Sequence, residues 1–219
     1  MTEKKSKRTI RIPNYTLGEE LFNAISHGVG AGLSIAALVL MVVKAHGALA
    51  ETTVSLFGAA MIVLYTISCV YHALSRNLGG KKVLRVIDHC NVYLLVFGTY
   101  IPAALLGVGG ALGWVLFGIT GFFTVLGIVF TAIDVDKYQK VQVVCHLVSG
   151  WSILFGIPQL RATMGDRGFF FLLLGGILYT VGSVLYAIGA RKKYMHCVFH
   201  IFCLLGTFCH FWGICRYLI

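Results

Sequence analysis

Long apolar runs separated by short polar stretches make up almost the whole of this chain. Each run approaches the roughly 20 residues that an α-helix needs to cross the ~30 Å hydrocarbon core of a bilayer. Because the stretches between the runs are short, we predict an all-α fold, a bundle of seven transmembrane helices. The predicted spans lie at about 25–44, 53–74, 86–106, 112–132, 141–160, 169–190 and 196–217. Residues 1–15 are predicted to form a basic cytosolic tail, and residues 16–219 a single membrane domain.

The composition indicates the same class of protein. Hydrophobic residues make up 58% of the chain and charged residues only 12%, whereas soluble globular domains carry about 25% charged residues. We therefore predict a multi-pass protein of the cell membrane and do not expect a soluble activity.

Basic residues are concentrated on one side of the predicted bundle. Fourteen Lys and Arg residues fall in the tail and in the loops after spans two, four and six, against four on the opposite side. Loops rich in Lys and Arg stay in the cytosol, so we expect a cytosolic N-terminus and a C-terminus outside. The basic residues behind the net charge of +10 are thus distributed as topology determinants that face an anionic inner leaflet. Membrane lipids are the expected partners, and nucleic acid is not.

A helix start signal precedes the first apolar run. The sequence TLGE at 16–19 fits the S/T-x-x-E capping box, which predicts that a helix begins there. Glu20, Asn23 and His27 would then lie along one face of this helix and enter the membrane from the cytosolic side. Their role is left open between a functional polar face and an interfacial amphipathic turn.

Four ionisable residues fall at the cytosolic end of predicted spans, namely His72, Asp88, His196 and His200. Ionisable side chains inside a bilayer are costly and mark functional sites. The four-residue spacing of His196 and His200 lets one helix offer two imidazoles to one ion, and His72 would supply a third. Three imidazoles are the ligand set of catalytic zinc sites that keep a fourth position open. We therefore predict a Zn²⁺ site; the alternative is that headgroups solvate each residue separately.

Asp88 and Ser68 are the predicted catalytic residues. Asp88 would either complete the coordination of the metal or act beside it as a general base. Ser68 lies one turn before His72 and would hydrogen-bond a ligand or the oxyanion of a substrate. In the alternative, Ser68 bonds back to a carbonyl group of its own helix.

Other candidate ligands have weaker support. His146 is a substitute ligand for the same ion. His210 lies ten residues beyond His200 and hence roughly 15 Å deeper, too far to share its ion. Haem ligation by His146 and His210 is a further alternative. The seven cysteines lie inside or at the ends of spans, which is typical of small packing residues and not of a disulfide framework. Cys197, beside His196, is kept as an alternative metal ligand.

Taken together, these motifs resemble the hemolysin III branch of the progestin and adipoQ receptor family, from about residue 16 to the end of the chain. The motifs are Glu20-x2-Asn23-x3-His27, Ser68-x3-His72, Asp88-His89 and His196-x3-His200 with His210 beyond it. The resemblance implies a seven-helix bundle with zinc held at His72, His196 and His200, and Asp88 in contact with the metal-bound water. Adiponectin-receptor and alkaline-ceramidase relatives imply hydrolysis of lipid amides such as ceramides.

Three functions follow from these observations. The first is zinc-dependent, ceramidase-like hydrolysis of a lipid amide or ester in membrane lipid homeostasis. The second is a non-enzymatic homeostasis or sensor protein in which zinc is a structural clamp. The third is a hemolysin-type pore-forming cytolysin, the activity for which the branch is named, although the spans show no continuous polar stripe of the kind that a water-filled channel needs.

Overall fold

Helices make up nearly all of the computed structural model, which describes residues 10–189 and 192–219. Within these ranges there is no β-strand. The helices are α1 (Leu17–Lys44), α2 (Ala48–Ala73), α3 (Gly79–Pro102), α4 (Gly110–Ile133), α5 (Gln139–Trp151), α6 (Ile157–Gly189) and α7 (Met195–Tyr217). A π-helical segment, Ala103–Val108, follows α3, and a 3-10 segment, Ser152–Gly156, joins α5 to α6.

Six helical stretches of the described chain are long and apolar enough to cross a membrane. Five of them each contain one predicted span. The remaining stretch, Gln139–Ala187, runs for 49 residues and contains the predicted span 141–160 and most of the predicted span 169–190. A straight helix of that length would measure about 74 Å, more than twice the thickness of a bilayer core.

The long stretch folds back on itself at Gly165. This residue has φ 67° and ψ 174°, a conformation that glycine adopts without the steric penalty of a Cβ atom. The indole Nε1 of Trp151 donates a hydrogen bond of 3.1 Å to Thr180 Oγ1, although 29 residues of a straight helix would separate them by about 43 Å. The two halves of the stretch therefore run antiparallel.

Neighbouring helices pack in chain order, and α7 returns to contact both α1 and α6. The backbones of α6 and α7 approach closely where Gly175 faces Gly206. A Cβ atom on Gly175 would lie 3.0 Å from the Gly206 carbonyl oxygen, and one on Gly206 would lie 3.2 Å from that of Gly175. Small residues at such crossings are typical of helix pairs in membranes.

The outside of the bundle is apolar and its inside is partly polar. Large hydrophobic side chains such as Leu33, Val43, Phe122 and Phe155 are exposed by more than half of their surface, as expected for side chains that face lipid. Buried polar residues instead cluster inside, and many of them belong to the site described below. They include Glu19, Asn23, His27, Ser68, His72, Lys81, Asp88, His196 and His200.

The predicted capping box at the start of α1 is confirmed. Thr16 Oγ1 accepts a 3.3 Å hydrogen bond from the Glu19 N–H, and Glu19 Oε2 accepts one of 2.8 Å from the Thr16 N–H. The second Glu19 oxygen, Oε1, accepts a 2.7 Å hydrogen bond from the N–H of Tyr194, the residue before α7. One carboxylate thus joins the first turn of α1 to the start of α7.

Candidate metal centre

Three histidines from two helices meet at one end of the bundle. His72 lies in the last turn of α2, and His196 and His200 lie in the first two turns of α7. One ring nitrogen of each lies within 4.8 Å of the others, and all three residues are buried. We refer to His72, His196 and His200 as the histidine triad.

Glu20 of α1 fixes the orientation of His72. His72 Nδ1 lies 2.6 Å from Glu20 Oε2; because an ionised carboxylate only accepts hydrogen bonds, Nδ1 is the donor. The Nε2 atom of His72 then carries the lone pair, and this atom is buried without a hydrogen-bond partner. A carboxylate that holds the second nitrogen of a ligating imidazole is the usual arrangement around metal-bound histidines.

Lys81 of α3 supports the Glu20 carboxylate. The Lys81 side chain is almost fully buried, and its Nζ donates to Glu20 Oε1 over 2.5 Å and to the Leu74 carbonyl oxygen over 2.9 Å. The ammonium group balances the charge of Glu20, and Glu20 in turn orders His72. Residues of three helices therefore set the position of one imidazole.

The other two triad members face one another. His196 Nε2 and His200 Nε2 lie 3.1 Å apart, close to the separation of about 3.3 Å expected for two nitrogens at 2.0–2.1 Å from a tetrahedral zinc ion. Three buried imidazoles, two of which (His72 and His200) have a nitrogen without a hydrogen-bond partner, are a donor set that suits Zn²⁺ and other borderline transition metals. The residues present therefore fit a metal ion.

Aromatic rings enclose the triad from two sides. Tyr15 stacks on His196, with ring centroids 4.9 Å apart, and His27 stacks on His200 at 3.7 Å. Burial raises the pKa of the Tyr15 phenol, so this side chain stays neutral. Both rings limit the access of water to the imidazoles.

Asp88 and Ser68 are buried next to the triad. The Ser68 hydroxyl lies close enough to hydrogen-bond with the Asp88 carboxylate, and both side chains line the same internal cavity. Among the described residues, the cluster of potential metal ligands contains only the three histidines, so Asp88 lies outside it. This position suits a group that acts beside a metal ion and not as its fourth ligand.

The remaining candidates from the sequence are engaged elsewhere. His146 stacks on Tyr93 with ring centroids 3.7 Å apart, and His210 Nε2 lies 3.2 Å from the Leu172 carbonyl oxygen. The Cys197 thiol donates toward the Glu19 carbonyl oxygen at 3.8 Å. None of these three belongs to the ligand cluster found in the described residues.

Two spaces flank the triad. On one side, an internal cavity of about 130 Å³ begins at His27, Ser68, Asp88 and His200 and continues between mostly apolar side chains as far as Leu160. On the other side lies a larger polar space of about 550 Å³, which we call the vestibule. It is lined by residues 11–15 and by Glu19, Arg85, Val135, Asp136, Gln139, Tyr186, Lys192, Lys193 and His196.

Sequence patterns alone did not identify Lys81 and Tyr15 as parts of this site. Lys81 belongs to a run of basic residues that reads as a topology signal, and Tyr15 lies in the segment predicted as tail. The spacing of Glu20, Asn23 and His27 did point to a shared helix face. In the structure, Asn23 and His27 are buried on that face, and none of their side-chain polar atoms has a hydrogen-bond partner.

The apolar exterior, the helical stretches and the buried histidines define a multi-pass membrane protein with a potential metal centre. The family described as "Haemolysin-III related" matches residues 15–211, and the chain belongs to this family. It is 34% identical to Hemolysin-3 of Bacillus cereus over 222 residues, covering 100% of this chain and 98% of that protein. It is 35% identical to a Hemolysin-3 homolog of Bacillus subtilis (strain 168), covering 94% and 97%. The Drosophila melanogaster adiponectin receptor protein is 24% identical, over 72% of this chain and 41% of the receptor.

Proposed function

We propose that this protein is a zinc-dependent hydrolase of a lipid amide or ester that acts in membrane lipid homeostasis. The observation that carries the proposal is the position of the triad between the polar vestibule and the mostly apolar internal cavity. A lipid has the same division, because a polar headgroup is linked to acyl chains. A lipid with its headgroup in the vestibule and a chain in the cavity would bring its amide or ester linkage to the triad.

We also propose that the bundle crosses the membrane seven times, with the N-terminus in the cytosol. The reversal at Gly165 supports two crossings within the Gln139–Ala187 stretch. The excess of Lys and Arg on the side of the vestibule supports its cytosolic location. On this topology residues 16–219 form a single membrane domain, and the triad lies near the surface of the inner leaflet.

When bound at the triad, zinc would polarise the substrate carbonyl and acidify a coordinated water toward a pKa of about 7. The chain supplies the remaining functions. The Asp88 carboxylate would accept the proton from the attacking water and return it to the leaving amine or alkoxide as the C–N or C–O bond breaks. The Ser68 hydroxyl would donate a hydrogen bond to the developing oxyanion. Glu20 keeps His72 in the tautomer with a lone pair on Nε2, and Tyr15 restricts the entry of bulk water.

Lipid turnover by detergent-purified, zinc-loaded protein tests the proposal. Short-chain ceramide and a short-chain phospholipid ester would be incubated with the wild type, with Asp88→Asn and with His196→Ala/His200→Ala. We expect the wild type to release fatty acid and both variants to lose most of that activity. Equal release by all three proteins, or no turnover of either lipid class by zinc-loaded wild type, would refute the enzymatic proposal.

A structural role for zinc is a second candidate, favoured by the number of helices that meet at the site. Glu20, His72, Lys81 and His196 come from α1, α2, α3 and α7. An ion held by the triad would therefore tie the end of the chain to its beginning. On this account bound zinc raises the unfolding temperature and lipid turnover stays absent, so the same preparations separate the two functions.

A further inference from the structure

The vestibule carries more positive charge than its own acidic groups neutralise. Four of its lining residues are cationic (Arg11, Arg85, Lys192 and Lys193), and two, Glu19 and Asp136, are acidic. Both acids already have partners. Glu19 accepts hydrogen bonds from the Thr16 and Tyr194 N–H groups, and Asp136 forms a two-point ion pair with Arg85 at 2.7 and 3.1 Å.

The cationic groups, in contrast, have hydrogen-bonding capacity left over. Arg85 is only 6% exposed, and its Nε atom is buried without an acceptor. In the part of the chain that the structure describes, no ion pair joins the side chain of Arg11, Lys192 or Lys193 to an acid. Three cations without an acidic partner around one polar space are an arrangement that suits an anion with several oxygens.

The vestibule also borders the triad directly. His196 lines the vestibule and is a triad member at the same time, and Tyr15, stacked on His196, lines it as well. An anion in the vestibule would therefore lie next to the groups that we assign to hydrolysis. Its volume of about 550 Å³ leaves ample room for a phosphate group and its immediate substituents.

We infer that the vestibule is a binding site for a phosphate group, and that the lipids on which the protein acts carry an anionic phosphate headgroup. The second half of this inference rests on the proposed hydrolase function, whereas the first half does not. The main alternative is that these cations only attract the anionic leaflet in general, like other basic residues of the same membrane side. The two explanations differ in what they predict for cations outside the vestibule. A general attraction depends on how many cations this side of the protein carries and not on where they lie.

The test compares two triple variants with the same loss of charge. Arg11→Gln/Lys192→Gln/Lys193→Gln removes three vestibule cations, and Lys82→Gln/Lys137→Gln/Lys140→Gln removes three exposed cations that do not line the vestibule. All six side chains are exposed, so neither variant disturbs the core. Binding of dihexanoyl phosphatidic acid, dihexanoyl phosphatidylcholine and inorganic phosphate to the full-length, zinc-loaded proteins is measured by titration calorimetry in a nonionic detergent.

We expect the vestibule variant to bind phosphatidic acid about tenfold more weakly than the wild type, as three partly screened charge contacts would give. The control variant should stay within about twofold of the wild type, and phosphatidylcholine should bind weakly to all three proteins. Loss of inorganic phosphate binding in the vestibule variant alone would support the site with a soluble phosphate as its source, and loss confined to phosphatidic acid would identify the lipid headgroup. Equal weakening in both variants, or no weakening in either, would overturn the proposal.

If the vestibule binds phosphate as expected while no lipid is hydrolysed, the proposed hydrolase function fails and the phosphate site stands.

Discussion

Replacement of Glu20 by glutamine tests how the chain prepares the triad for a metal ion. The substitution keeps the size of the side chain but replaces the carboxylate that accepts from His72 Nδ1 over 2.6 Å with a neutral amide. An amide can present its NH₂ group to His72 and so favour the tautomer whose lone pair points away from the triad. We therefore expect Glu20→Gln to bind zinc more weakly than the wild type.

The magnitude follows from the position of Glu20. Removal of a carboxylate that orders a ligating histidine typically lowers metal affinity by about 10–100-fold, which corresponds to roughly 1.4–2.7 kcal/mol. Glu20→Gln also removes the charge that pairs with the buried Lys81 ammonium, which keeps its hydrogen bond to the Leu74 carbonyl oxygen. Breaking one side of a buried ion pair costs up to about 3–5 kcal/mol of folding stability, and the 16% exposure of the Glu20 side chain places the cost toward or below the lower limit.

A double variant separates these two effects. Glu20→Gln/Lys81→Met removes both charges, so we expect it to regain most of the unfolding temperature that Glu20→Gln loses, while its zinc affinity stays low. Zinc affinity would be measured by competition with a chromophoric chelator, and stability by thermal unfolding of the metal-free proteins. Zinc binding by Glu20→Gln within about twofold of the wild type would refute the ordering role of Glu20.

Four further predictions concern single positions. Asp88→Asn should retain zinc, because Asp88 lies outside the ligand cluster, and should lower lipid turnover by about 10²–10⁴-fold; loss of the metal would instead show that Asp88 is a ligand. Tyr15→Ala should speed the release of zinc to a chelator by opening the face of the triad, and Tyr15→Phe, which keeps the ring, should not. Thr16→Ala should lower stability by about 1 kcal/mol through loss of the helix cap, as seen in a lower unfolding temperature. Burial alone would raise the pKa of the Asp136 carboxyl, but the hydrogen bonds and charge of Arg85 outweigh this effect and hold the pKa below its ordinary value. The ionised carboxylate therefore stabilises the fold above about pH 4, and this stabilisation is lost as pH falls through the lowered pKa. The difference in stability between wild type and Asp136→Asn should shrink in that acid range, and a difference that does not change with pH would contradict the assignment.

Sequence patterns predicted the helical class because the long apolar runs carry a strong signal. Five predicted spans each fall within one helical stretch, and the cap at Thr16 begins α1 as expected. For the reversal at Gly165, the sequence predicts only a gap between the spans 141–160 and 169–190. Polar residues such as Arg161 and Asp166 mark the gap between the two spans, but the sharpness of the turn depends on the positive φ of Gly165, which the local composition does not reveal.

The candidate site was predictable to the extent that its residues are unusual in a membrane. The histidines at 72, 196 and 200 stand out because imidazoles are rare inside spans, and a shared depth follows from alternating helix directions. Lys81 and Tyr15 have no such signature, since a lysine at the start of a span and a tyrosine in a basic tail are ordinary at membrane surfaces. Their roles depend on contacts between segments far apart in the chain, such as Lys81 with Glu20 and Tyr15 with His196.

Metal content of the purified protein tests the central claim most directly. Wild type and His196→Ala/His200→Ala would be prepared in detergent under zinc-replete conditions, and bound metals quantified by mass spectrometry with unfolding temperatures recorded before and after chelation. We predict about one zinc per wild-type chain and an unfolding temperature that falls when the metal is removed, with neither property in the variant. Wild-type protein that is folded and carries no metal, or a variant that retains zinc in equal amount, would contradict the claim that the triad is a metal site.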